Sequence, residues 1–212
     1  MAVFDLEEQE RIDALTDWWK QNSRFVYIGL AAFVIVVAGI KGWQYRNNTR
    51  AETVAERFAE FEKASAGKDA KQVRAAAEPL QKEFPESFYA ARAAFAAAVA
   101  SVEAKDLDGA AASLRWVVDH ARSPALKNLA RLRLAAVLLD QGKWDDALRL
   151  LDDVKDAAFA GQAADIKGDI FVAQGKAAEA RASYKLALES AASGAPAHQL
   201  TQLKLDALGD PK

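Results

Sequence analysis

A single apolar run near the N-terminus restricts this chain more than any other feature. Residues 25–40 carry no charged side chain and read FVYIGLAAFVIVVAGI. Ten of these sixteen residues are Ile, Leu, Val or Phe, each of which favours insertion into a bilayer by roughly 0.3–0.6 kcal/mol. Lys41 can extend its ammonium group to the headgroups, and counting on to Tyr45 gives about 20 residues, the length of a spanning helix. We therefore predict a transmembrane helix at residues 25–45.

Aromatic side chains stand at both edges of this run, as in the interfacial belts of membrane proteins. They are Trp18, Trp19, Tyr27, Trp43 and Tyr45. Residues 1–24 are too long and too acidic for the charged start of a cleaved signal peptide, so we interpret the run as an uncleaved signal anchor. Basic residues are similarly frequent on both sides, so the positive-inside rule leaves the orientation open.

Two later segments share one helical pattern. A Gln-Gly-Lys turn occurs at residues 141–143 and again at residues 174–176. Equivalent positions in the two segments hold residues of similar size. The small pairs are Ala135 with Gly168 and Ala147 with Ala180, and the larger pairs are Leu138 with Phe171 and Leu151 with Tyr184. Small residues let paired helices approach closely, and bulky ones fill the adjacent groove. A period near 34 with this pattern is typical of tetratricopeptide repeats.

Weaker copies extend the pattern in both directions. Ala98, Leu107, Ala110 and Leu114 lie at equivalent places around residues 105–106. A degenerate first pair is predicted at residues 51–84, with a kink or an early end at Pro79. Residues 196–208 are predicted to form a capping helix. We therefore predict an all-α chain: an N-terminal segment at 1–24, the transmembrane helix at 25–45 and a tetratricopeptide-like repeat domain at 46–212.

Several classes of function find no support in the sequence. The formal net charge of -2 gives no concentrated basic face, so nucleic acid is not an expected partner. There is no cysteine, and His120 and His198 have no companion at metal-ligand spacing. The sequence shows no pattern of a strand followed by a Gly-rich loop, which a phosphate-binding site of this kind would need. We expect no catalytic residues, no cofactor, no metal and no enzymatic activity.

Helical repeats of this kind bind other proteins along the concave face, which the first helix of each pair lines. The repeat register places these residues there: Arg92, Phe95, Val99, Leu132, Ala136, Leu139, Asp165, Asp169 and Val172. Such a groove would be apolar at its start and centre and acidic at its end. The competing interpretation is that the aliphatic members simply pack into the stack.

The chain also resembles a known family over essentially its whole length. The residues that carry the resemblance are the N-terminal EEQERIDALTDWWKQNSRF, the span after it, Trp43-Gln44-Tyr45, and the two repeats LRLAAVLLDQGKWDDALRLLD and DIKGDIFVAQGKAAEARASYKLAL. They are similar to the ancillary SecYEG translocon subunit family. The combination of an acidic head, a Trp-Trp pair, one span and this helical stack is more specific than the repeats alone.

The resemblance implies a single-pass protein of the bacterial inner membrane, in contact with membrane lipid. Its N-terminus would be cytoplasmic and its helical domain periplasmic. Its partners would be the SecYEG translocon, a membrane-anchored periplasmic chaperone of the prolyl-isomerase type and secreted client proteins. The family supplies no catalytic residues. The residues themselves leave an alternative open, a membrane-anchored scaffold for a protein complex on the cytoplasmic side.

Overall fold

Residues that interrupt helices are few in this chain, with 11 Gly and 5 Pro among 212 residues. The computed structural model describes residues 3–67, 69–190 and 196–209. Within those ranges all regular structure is helical, which confirms the predicted all-α fold class. The helices there are α1 (Val3–Ser65), α2 (Ala70–Glu83), α3 (Phe88–Glu103), α4 (Leu107–His120), α5 (Pro124–Asp140), α6 (Trp144–Asp152), α7 (Ala157–Ala173), α8 (Ala177–Ser190) and α9 (Pro196–Ala207).

The chain divides into two structural units, Met1–Thr53 and Val54–Lys212. The first unit contains the stretch Glu10–Arg46 of α1, which is long and apolar enough to cross a membrane and has no buried residue in its most apolar window. Phe33, for example, exposes 66% of its surface. Large apolar side chains so exposed over several turns favour a lipid environment. The limits of the span at residues 25 and 45 stay a prediction.

The second unit buries the small and large residues that the repeat pattern predicts. Fully or almost fully buried are Ala98, Ala110, Leu114, Ala135, Leu138, Ala147, Leu151, Gly168, Ala180 and Tyr184. Phe171 and Leu107 are only half-buried. The pairs α3–α4, α5–α6 and α7–α8 each pack across a short turn, and successive pairs pack on one another. Alanine at the crossing points keeps the paired helices close, so the repeat interpretation accounts for the core.

The first pair is formed by the end of α1 and by α2. Its core contains Val54, Phe58 and Phe61 from α1 and Leu80 from α2. The predicted early end at Pro79 does not occur, because α2 continues through this residue to Glu83. The predicted turn at residues 67–68 lies partly outside the described residues.

Three of the turns end their first helix in the same way. In the two Gln-Gly-Lys turns, Gly142 and Gly175 have φ angles of 70° and 74°. The next residue then donates its backbone N–H back to the helix, from Lys143 to the carbonyl of Leu138 at 2.9 Å. This arrangement is a Schellman motif, which satisfies carbonyls at the helix end. At the equivalent place in the weaker copy Lys105 has a φ of 58°, although a side chain disfavours this conformation.

Replacing Lys105 with Gly should therefore stabilise the protein. Removing the side chain relieves the left-handed strain, which we expect to be worth about 1 kcal/mol. For a unit of this size that corresponds to a rise in Tm of about 2–4 °C. The measurement is thermal unfolding of the full chain in detergent, followed by circular dichroism. Gly142→Ala, the opposite change at the equivalent turn, should lower the Tm, and a lower Tm for Lys105→Gly would contradict the argument.

Candidate protein-binding surface

The nine residues predicted for the concave face all lie on the first helices of the pairs, α3, α5 and α7. Their exposure divides them into three groups. Arg92, Val99 and Val172 are exposed; Phe95, Ala136, Leu139, Asp165 and Asp169 are half-buried; Leu132 is buried, with 4% of its surface exposed. Leu132 belongs to the hydrophobic core. Packing into the stack therefore accounts for Leu132, and the binding role of the more exposed members stays a prediction.

A cleft brings three of the predicted residues together. Leu132 and Ala136 of α5 and Asp165 of α7 line a space of about 470 Å³. Residues of α8 and α9 complete its wall, including Leu200. The volume lies within the usual range for binding pockets, and most of the lining is aliphatic. The other six predicted residues do not line this cleft.

Arginine side chains lie on aromatic rings along the same face. The guanidinium carbon of Arg92 is 4.9 Å from the ring centre of Phe58, and that of Arg133 is 5.0 Å from the ring centre of Phe95. These are cation–π contacts, which hold a planar guanidinium in a defined place. Arg92 also has a carboxylate oxygen of Glu62 at 3.7 Å. The contact between Arg133 and Phe95 connects the α3 part of the face with the cleft.

The predicted acidic end of the groove exists, but its carboxylates are occupied. Asp165 accepts hydrogen bonds from the hydroxyl of Thr201 at 2.8 Å and from the ammonium group of Lys204 at 2.7 Å. Asp169 accepts from Lys204 at 2.8 Å and from the hydroxyl of Tyr184 at 2.7 Å. Each of the four carboxylate oxygens therefore has a donor from α8 or α9. The acidic end is bonded within the chain and is not a free surface.

The ionisation of this cluster follows from its contacts. Burial by itself would lower the pKa of Lys204, but its bonds to Asp165 and Asp169 outweigh burial and raise the pKa. Burial raises the pKa of Tyr184, and the hydrogen bond to Asp169 adds to that effect. Lys204 is thus a cation and Tyr184 a neutral donor near neutral pH. The cluster fastens α9 to α7 in this state.

Sequence reasoning missed several residues of the cleft. Arg133 and Ile166 both line it, and each stands at the same distance before the Gln-Gly-Lys turn of its own repeat. The repeat register therefore contained the signal for both. Thr201 and Lys204 gave a weaker signal, since they are three residues apart on one face of the predicted capping helix. Their bonds to Asp165 and Asp169 on α7 could not be predicted from the repeat pattern.

Comparison with known proteins agrees with this architecture. A model of the tetratricopeptide repeat-like domain matches residues 16–210. Three similar proteins, each named ancillary SecYEG translocon subunit, come from Neisseria gonorrhoeae, Haemophilus influenzae and Escherichia coli. The Neisseria protein is 33% identical over 96% of this chain and 98% of its own length. The Haemophilus protein is 30% identical over 97% of this chain and 100% of its own length. The Escherichia coli protein is 25% identical over 98% of this chain and 99% of its own length. The chain therefore belongs to the ancillary SecYEG translocon subunit family, as a membrane-anchored accessory protein with a tetratricopeptide repeat-like domain.

Proposed function

We propose that this chain is a non-enzymatic subunit of the SecYEG translocon that receives newly translocated proteins, or their membrane-anchored periplasmic chaperone, on its concave face. The observation that carries the proposal is the aliphatic cleft between α5, α7 and α9, on the face where repeat domains bind partners. The names of the relatives support the translocon as the assembly concerned. Val99 and Val172 would extend the same apolar surface beyond the cleft.

The anchor explains how a modest site would suffice. A binding surface fixed beside the channel meets each emerging chain at a high effective concentration, so weak affinity is enough for capture. In this proposal residues 1–24 are cytoplasmic, residues 25–45 cross the inner membrane and residues 46–212 form the periplasmic domain. An open, mainly apolar cleft also suits partners of many sequences, because apolar contacts are not directional.

A photo-crosslinking amino acid in place of Ala136 should form adducts with translocating chains, with the chaperone or with SecYEG. Ala136 lines the cleft and is half-buried, so a probe there faces a bound partner. The matched control is the same probe at Arg115, an exposed residue of α4. The measurement is adduct formation in growing cells, resolved by mass spectrometry.

Adducts of equal yield from Ala136 and Arg115 would contradict a role for the concave face. The topology is tested in the same cells by protease treatment of a C-terminal tag. Digestion in intact spheroplasts supports the periplasmic domain. Protection until lysis would overturn the proposal in favour of a scaffold on the cytoplasmic side.

A further inference from the structure

The cleft between α5, α7 and α9 has a lining that is apolar at its floor and charged at its edge. Leu129, Leu132, Ala136 and Ile166 present aliphatic carbon, and Leu200 of α9 does so from the opposite wall with 55% of its surface exposed. An apolar side chain that entered would therefore be covered on several sides. Burial of such a side chain is the main gain in free energy that this site offers.

Charge at the edge of the cleft comes from two lining residues, Arg133 and Asp165. Asp165 is engaged by Thr201 and Lys204. Arg133 is exposed, and within the described residues no carboxylate lies within 4.0 Å of its guanidinium group. A partner's basic group would have to displace donors already bound to Asp165. A partner's carboxylate could bind Arg133 without displacing another carboxylate of the described residues.

The position of Arg133 also favours recognition of a carboxylate. Its guanidinium lies 5.0 Å from the ring centre of Phe95, so the side chain is already ordered before a partner binds. Ordering it in advance reduces the entropy lost on binding, and its planar donors match the two oxygens of a carboxylate. Arg92 has a similar place on Phe58, but it already has a carboxylate neighbour in Glu62. Of these two arginines, Arg133 is therefore the one without a carboxylate neighbour among the described residues.

We propose that the cleft selects apolar peptide segments that carry an acidic residue beside the buried side chain, with Arg133 as the group that recognises the carboxylate. The inference rests on the proposed function, because it specifies which partner segments the concave face accepts. The acidic end that the sequence predicts for the groove does not compete in this proposal, because the carboxylates of Asp165 and Asp169 are already bonded to α9 and α8.

The test uses the full chain in lipid nanodiscs of zwitterionic lipid and two fluorescent amphipathic peptides. One peptide is built from Leu, Ala and Glu, and in its twin every Glu is replaced by Lys. Fluorescence anisotropy gives the Kd of each. We expect the acidic peptide to bind about 10-fold more tightly at low salt, with the difference shrinking as salt screens the charge.

Arg133→Glu should abolish or invert this preference, whereas Arg133→Lys should retain part of it. Arg115→Glu makes the same charge change on exposed α4 and should leave both Kd values unchanged. Equal binding of the two peptides, or a preference that Arg133→Glu leaves intact, would overturn the inference. Adducts from Ala136 in cells would persist in that case, so failure of the charge recognition is distinguishable from failure of the proposed function.

Discussion

Replacing Gly168 with Ala should destabilise the protein by about 1–3 kcal/mol, although Gly→Ala in a helix usually stabilises. A Cβ at this position would lie 2.3 Å from Cε1 and 2.4 Å from Cδ1 of Tyr184. The ring cannot move aside easily, because Tyr184 exposes only 2% of its surface and its hydroxyl is bonded to Asp169. The measurement is urea unfolding of the full chain in detergent, with hydrogen exchange of α7 and α8 as a local readout.

The repeat itself supplies the compensating change. In the preceding copy the equivalent positions hold Ala135 and Leu151, and both are buried without conflict. Tyr184→Leu should therefore remove most of the penalty of Gly168→Ala, so the two substitutions should be strongly non-additive. Gly161→Ala on the same helix is the control, since its Cβ would meet Ser190 at 3.1 Å near the exposed end of α8. Purely additive effects would show that the contact between Gly168 and Tyr184 does not limit this position.

Leu132→Asp should cost about 3–5 kcal/mol, the usual penalty for a buried charge without a partner. Leu132 exposes 4% of its surface and packs in the main core of the repeats. The next repeat nevertheless holds Asp165 in the same register. Thr201 and Lys204 bond both of its carboxylate oxygens, whereas Leu132 packs among the apolar side chains of the core. The environment that α9 provides, and not the repeat position, makes an aspartate acceptable.

The reverse substitution is the matched control. Asp165→Leu should cost about 1 kcal/mol or less, because Lys204 keeps its bond to Asp169 and the hydroxyl proton of Thr201 can turn to the carbonyl of Ala197, which lies 3.0 Å away. Both variants are compared by urea unfolding under the conditions used for the wild type. Similar losses for the two would contradict the argument. A binding experiment should accordingly not use charge substitutions at Leu132, since loss of binding there would report unfolding.

The sequence predicted those parts of the fold that depend on local spacing. The turns at Gly142 and Gly175 and the buried positions of Ala135 and Leu151 follow from a pattern that recurs from one repeat to the next. Local patterns are informative because a helix places residues three and four apart on one face. The apolar span in α1 was visible from composition and length, as a continuous uncharged run about long enough to cross a bilayer.

The candidate site was predicted less completely, because its decisive contacts are not local. The bonds from Lys204 to Asp165 and Asp169 join residues 39 and 35 positions apart, and Lys204 lies on the closing helix α9, outside the repeats. Arg133 was not among the predicted residues, because the repeat register placed the neighbouring Leu132 on the concave face. The nine predicted residues all lie on the first helices of the pairs, but the bonds that occupy Asp165 and Asp169 could not be predicted. Their role in binding stays a prediction.

The attachment of α9 determines where this array can gain length during evolution or by engineering. A duplicated helix pair added after α8 would separate Lys204 from Asp165 and Asp169 and leave both aspartates without that cation. A pair inserted between α6 and α7 would keep the last repeat and its closing helix together. The register that the two Gln-Gly-Lys repeats share allows such an internal insertion to match its neighbours. Longer or shorter relatives should therefore differ in internal repeats and retain the aspartates together with the lysine that closes them.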